Sequence, residues 1–161
     1  MQSLKKKIVL ILAVAIFTLA LAGCSNSAAV TPAKVDSGIS VVELTGVCTA
    51  EVIGDQVKVS VVTNMREDII FKLSVTDEAG NILDELQMTK VKDVDPSAEF
   101  TIQADWPDVV YGFLVAKPDD NNTTGINGSY GKNFSNITYD GMVYNNGKNY
   151  IVFMSEPLTI R

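Results

Sequence analysis

Apolar residues recur at every second position through three separate stretches of this chain. In "QVKVSVVTN" (56–64), Val57, Val59 and Val61 fall on one side, and Gln56, Lys58 and Ser60 on the other. "IIFKLSVTD" (69–77) turns Ile69, Phe71, Leu73 and Val75 one way and Lys72, Ser74 and Thr76 the other. "AEFTIQA" (98–104) repeats the pattern with Phe100 and Ile102. Successive side chains of a strand point to opposite faces, so a period of two makes one apolar face and one wet face. The pattern predicts half-buried strands of an antiparallel sheet.

Turn chemistry separates these strands. "TDEAGN" (76–81) carries Gly80, which takes positive φ readily, and predicts a hairpin from Asp77 to Ile82. "DVDPSA" (93–98) supplies a Pro-Ser turn before the next strand. "ILDELQMTKV" (82–91) has helix-friendly composition, but its flanking turns predict a strand with room for a bulge. Beyond the N-terminal apolar run, no segment sustains an apolar period of 3.6. Asn146-Gly147 suits a tight turn, pairing "GMVY" (141–144) with "NYIVFM" (149–154) as a terminal hairpin.

About seven main strands predict an all-β chain: an immunoglobulin-like antiparallel β-sandwich. In "DWPDVVYGFLVAK" (105–117), Tyr111 follows Pro107 at a strand start, the position of a tyrosine corner whose hydroxyl bonds back to upstream backbone. Trp106 then reads as a core plug. The stretch also resembles the FxLYD-type immunoglobulin-like domains of bacterial envelope proteins. The shared features are Asn64 after the second strand, Asp77 and Gly80 in the hairpin, and Pro96 before the Phe100 strand. The resemblance covers roughly residues 40–117, and where the family has a Tyr-Asp pair this chain reads Val75-Thr76-Asp77. It implies no catalytic residues.

The N-terminus sets the expected location. Lys5, Lys6 and Lys7 precede 15 uncharged residues, Ile8 to Ala22, followed by Gly23 and Cys24. That is the anatomy of a secretory signal, with an apolar run too short for a comfortable bilayer span. Leu21-Ala22-Gly23-Cys24 resembles the lipobox of bacterial lipoproteins. The resemblance implies a diacylglyceryl group on the Cys24 sulfur and cleavage between Gly23 and Cys24. Multiple acyl chains anchor stably, because each buried methylene contributes roughly 0.8 kcal/mol. The expected organisation is a signal peptide over 1–23, a lipidated cysteine and small, polar tether over 24–38, and the sandwich over 39–161. The expected place is the extracytoplasmic face of the cell membrane. Ser25 hints at the outer membrane if the cell has two.

With Cys24 lipidated, Cys48 is the one remaining cysteine. Its alternating context, "TGVCTAEV", predicts a small buried core residue, with a reactive thiol as the alternative.

Composition removes several chemistries. From Cys24 on, 161 − 23 = 138 residues remain, with 13 − 3 = 10 basic against 19 acidic, a charge of −9. Such a domain repels phosphate backbones, so no nucleic-acid partner is expected. The sequence has no histidine, which excludes Ser-His-Asp and Cys-His nucleophiles and the commonest zinc ligand. "NGSYG" (127–131) has Asn127 where a nucleophile elbow needs its first Gly. No phosphate-cradling loop appears, and no cofactor is expected. Carboxylate-pair hydrolysis survives in principle, with no spacing that singles out a pair.

Residues 118–149 break the strand pattern with eight Asn and five Gly, and four of the five tyrosines fall between 130 and 150. So long an insertion in a compact domain is functional or mobile. Its Tyr, Asn, Ser and Gly resemble the composition of a binding surface, with Tyr130, Phe134, Tyr139, Tyr144 and Asn146 as candidate binding residues. No metal is expected. Asp119 and Asp120, beside Asn121 and Asn122, are the nearest to a cation site, but their spacing is not that of a calcium loop. The competing reading is structural cover. Val109, Tyr111, Phe113 and Val115 share one face of their strand and Val110, Leu114 and Ala116 the other, so both faces need covering, by the insertion or by a partner.

The expectation is a membrane-anchored envelope lipoprotein with a non-catalytic binding or structural role, engaging a protein or cell-wall glycan. The alternative is an accessory or carboxylate-dependent hydrolase acting on envelope glycans.

Overall fold

The computed structural model describes Gly38, residues 40–139 and residues 143–161, without the Tyr144 side chain. The leader, the Cys24 site, most of the tether and Tyr144's side chain therefore lie outside the described residues. The chain is all-β. Its strands are β1 (Val42–Glu43), β2 (Gly46–Ile53), β3 (Gln56–Thr63), β4 (Ile70–Thr76), β5 (Ile82–Thr89), β6 (Ser97–Thr101), β7 (Val109–Ala116), β8 (Ile137–Thr138), β9 (Val143–Asn145), β10 (Lys148–Met154) and β11 (Leu158–Thr159). One sheet runs β5-β4-β7-β10-β9, with β11 alongside β7, and the other runs β2-β3-β6. β1 pairs with β8 in parallel. The chain crosses between the sheets at β3–β4, β5–β6 and β6–β7, the order of an immunoglobulin-like sandwich.

The alternation places the core between the sheets. Val57, Val59 and Val61 of β3 and Phe71, Leu73 and Val75 of β4 are buried there, with Phe100, Val110, Leu114, Ile151 and Phe153. Trp106 joins this core, as the sequence suggested. "ILDELQMT" is strand β5, and its pairing with β4 shifts register between Val75 and Thr76. The expected hairpin forms at Gly80 (φ 85°), where Asp77 N–H bonds the Asn81 carbonyl at 3.0 Å. β9 and β10 turn about Asn146-Gly147.

Three expectations are corrected. Tyr111 is no tyrosine corner: no hydrogen bond joins its hydroxyl to upstream backbone among the described residues. The ring lies with Phe113 in a second cluster on the outer face, beside Val109, Val152 and Met154. Burial first, then the charges of Glu78 and Glu156, raises its pKa. The insertion also contains a helix, α1 (Thr124–Tyr130), which no apolar period announced. The Thr123 side chain caps it by accepting Ile126 N–H, and its two buried residues, Ile126 and Tyr130, stand four apart on one face. Finally, the insertion's buried apolar side chains Ile126, Tyr130, Phe134 and Ile137 join the core between the sheets. Among the described residues, none of them belongs to the outer Tyr111–Phe113 cluster.

Candidate functional site: the loop end of the sandwich

Three connections meet at one end of the sandwich: β3–β4 (64–69), β5–β6 (90–96) and the long segment from β7 to β10. The N-terminal strand β1 meets the same end through β8. In variable immunoglobulin domains the comparable loop end carries the binding loops, which is a likeness of fold alone.

The insertion is fastened by side chains that bond backbone. Asn121 takes the N–H of Ile70 at 2.7 Å and donates to the carbonyls of Ile70 at 2.7 Å and Lys117 at 2.8 Å. That ties the segment to the first residue of β4. Asn149 on β10 donates to the Phe134 carbonyl at 2.9 Å. The Asn136 carbonyl accepts Val42 N–H at 2.8 Å, and Asn136 N–H bonds Tyr130 carbonyl at 2.9 Å. At Gly131 (φ 73°), a Cβ would stand 2.3 Å from Ser135 Oγ and 2.6 Å from Asn136 Oδ1, so only glycine fits. Of the eight asparagines that resembled a contact surface in composition, Asn121, Asn136 and Asn149 are buried, and Asn121 and Asn149 bond backbone through their side chains.

The aromatic candidates separate accordingly. Tyr130 (3 % exposed) and Phe134 (1 % exposed) are core residues, edge to face with ring centroids 6.1 Å apart. Burial raises the Tyr130 pKa, while the Arg66 backbone hydrogen bond and charge lower it in part. Tyr139 is half-buried against Phe153, centroids 4.7 Å apart. Asn146 is exposed at the hairpin turn with φ 49°. These residues are therefore not gathered into one exposed aromatic face. Asp119 presents both oxygens to the Lys148 ammonium at 2.6 Å, and this hydrogen bond leads the rise in the Lys148 pKa. Asp120 is exposed beside it. Cys48 is buried in the core with its thiol 3.5 Å from the Gly112 carbonyl, and burial pushes its pKa up to about 12. A thiolate is the reactive form, so this thiol is protected.

What sequence reasoning missed lies between the first two connections. A groove of about 640 Å³ is lined by Thr63, Asn64, Met65, Arg66, Glu67, Lys90, Lys92, Asp93 and Asp95. Lys90 N–H bonds Ile69 carbonyl at 2.8 Å and Asp68 N–H bonds Lys90 carbonyl at 2.9 Å, holding the two loops side by side. Asp68 (φ 69°) and Asp93 (φ 55°) both adopt left-handed backbone on these loops. Arg66 ties the β3–β4 connection to the α1 helix. Arg66 donates through Nη1 to the Gly125 carbonyl at 3.0 Å and to Ser129 Oγ, and its backbone N–H bonds the Tyr130 hydroxyl at 2.7 Å. The signal was there as two charge clusters, "RED" (66–68) and "KVKDVD" (90–95), each in a connection between sheets. Periodicity arguments pass over such segments. Arranged this way, the groove offers hydrogen bonds and charges of both signs to a polar ligand.

No protein-family model matches this chain, and comparison with curated proteins and with solved structures finds no match.

Proposed function

We propose that the protein is a lipid-anchored envelope protein whose β-sandwich serves a non-catalytic binding or structural role. The membrane attachment rests on the lipobox resemblance at Leu21–Cys24. The binding role rests on one observation. The loops at one end converge on a charged groove, and the longest connection is fixed to strands β4 and β10 by Asn121 and Asn149 and to the β3–β4 loop by the Arg66–Tyr130 contact. A surface held in place before a partner arrives loses little conformational entropy on binding. The partner class is an envelope protein or a cell-wall glycan.

The test is capture from envelope extract by the full chain in mild detergent, alongside Thr124→Arg/Gly128→Arg on α1 and Lys92→Glu/Asp95→Lys at the groove. Thr124 and Gly128 are exposed, and a Cβ at Gly128 meets nothing within 4 Å, so the first pair alters the surface and not the core. A partner retained by the parent and lost by either folded pair is the expected result. Equal capture by all three proteins, or turnover of a glycan by the parent, overturns the proposal. Cys24→Ala is expected to move the protein from the membrane fraction to the soluble one. An unchanged distribution removes the anchor.

A further inference from the structure

The groove's charges are present in equal number and are not paired with one another. Lys90 is 7 % exposed, and its ammonium donates to the carbonyls of Val91 at 3.1 Å and Val94 at 2.7 Å, both in its own loop. An ammonium has three donors, so one has no protein acceptor among the described residues. Arg66 likewise meets only neutral acceptors: Gly125 and Glu67 carbonyls and Ser129 Oγ. Its Nη2 donors have no protein acceptor among the described residues. Lys92 stands exposed on the same groove. The ion pairs among the described residues are Lys72–Glu85, Lys148–Asp119 and Arg161–Asp108, so none involves Arg66, Lys90, Lys92, Glu67, Asp93 or Asp95.

Burying an ammonium without a counter-charge is unfavourable, and carbonyl dipoles offset only part of that cost. A ligand anion near Arg66 and Lys90 would offset more. A simple anion also meets Glu67, Asp93 and Asp95, and a simple cation meets Arg66, Lys90 and Lys92. A small molecule carrying both signs avoids both penalties. The volume of about 640 Å³ lies in the range of small-ligand sites, roughly 300–1,000 Å³.

We propose that this groove binds a zwitterionic amino acid or short peptide. The ligand's carboxylate faces Arg66 and Lys90, where a guanidinium suits it geometrically, and its ammonium faces Glu67, Asp93 and Asp95. This rests on the binding role proposed above and names the ligand class for it.

Calorimetric titration of the full chain in detergent tests the assignment. The probes are alanyl-alanine, N-acetyl-alanyl-alanine, alanyl-alaninamide and glycerophosphoethanolamine. Alanyl-alanine is expected to bind, with each capped form at least about tenfold weaker because one charged end is lost. Lys92→Met and Asp95→Asn, both at exposed positions, are expected to weaken it at least about fivefold without changing the melting temperature. Lys90→Met is expected to abolish it, and its fold is checked by melting. The proposal is overturned by no saturation with alanyl-alanine at about 10 mM, by equal binding of the capped forms, or by full affinity in both surface variants. Tighter binding of glycerophosphoethanolamine overturns it too, since the anion is then a phosphodiester. Partner capture from envelope extract that excess alanyl-alanine leaves unchanged overturns this ligand while leaving the binding role standing.

Discussion

The Tyr130 hydroxyl accepts the backbone N–H of Arg66 at 2.7 Å, across 64 residues of sequence. One atom thus joins the long insertion to the backbone of the β3–β4 connection. Tyr130→Phe keeps the ring in the core and removes only this acceptor. The orphaned N–H makes the variant less stable by about 1–3 kcal/mol. Thermal unfolding is expected to show a melting point lower by several degrees with a cooperative transition. An unchanged melting point sinks the idea that this bond anchors the insertion. Tyr130→Ala also removes a core ring, and is expected to lose about 3–5 kcal/mol.

Asn121 acts as a clamp. It is 1 % exposed, and its amide closes a two-way bond with Ile70 while reaching the Lys117 carbonyl. Asn121→Ala leaves two half-buried backbone groups of Ile70 and the Lys117 carbonyl without these partners, a loss on the order of 2–3 kcal/mol. Asn121→Asp keeps the shape and the bond to Ile70 N–H, but sets a carboxylate oxygen against two carbonyl oxygens. It is expected to be destabilised at neutral pH and partly restored in acid, where a protonated carboxyl donates again. Chemical denaturation at pH 7 and pH 4 distinguishes the two variants. Equal loss at both pH values for Asn121→Asp removes the donor argument.

The layers of this fold were legible because strand burial is written in a local code. Val57, Val59 and Val61 or Phe71, Leu73 and Val75 declare a face within a few residues, and Gly80 declares its own turn. The insertion obeys no such code. The side chains of Asn121 and Asn149 bond backbone that is distant in sequence, and nothing in "DDNNTTGINGSYGKNF" says whether an asparagine faces a partner or the protein's own interior. Tyr130 and Phe134 were indistinguishable from contact residues for the same reason: a ring is amphipathic or apolar wherever it sits. The groove was hidden differently. Its Arg66, Lys90 and Asp95 lie in two connections that only the crossing between sheets brings together.

Thr76 carries a mismatch. Its hydroxyl is buried and lacks a hydrogen-bond partner among the described residues, on β4 beside the register shift. A desolvated hydroxyl with no partner opposes folding. Thr76→Val replaces it with a methyl of similar shape and is expected to stabilise the protein by about 1 kcal/mol. Urea denaturation measures this as a higher midpoint at unchanged slope. A lower midpoint means the hydroxyl is satisfied in solution, for example by a water molecule.

Cys48 gives the fold a dependence on alkaline pH. Burial raises its pKa from 9.0 to about 12, so the folded state holds the thiol proton where the unfolded chain releases it. For a raised pKa, the unfolded state binds fewer protons between the two values, and stability falls as pH rises. The loss begins near pH 9 and levels off near pH 12, where the folded thiol ionises as well. Three units at roughly 1.4 kcal/mol each set an upper limit of about 4 kcal/mol. Other groups titrate in the same window, so the quantity to measure is the difference between the parent and Cys48→Ala. The variant starts less stable at pH 8, because it loses a packed sulfur, and the gap is expected to narrow as pH approaches 11. A gap that stays constant shows that the folded thiol ionises as easily as a free one. Alkylation by iodoacetamide at pH 8 is the companion measurement. Cys48 is expected to react only at the rate at which the sandwich opens, and fast reaction of the native protein sinks the prediction.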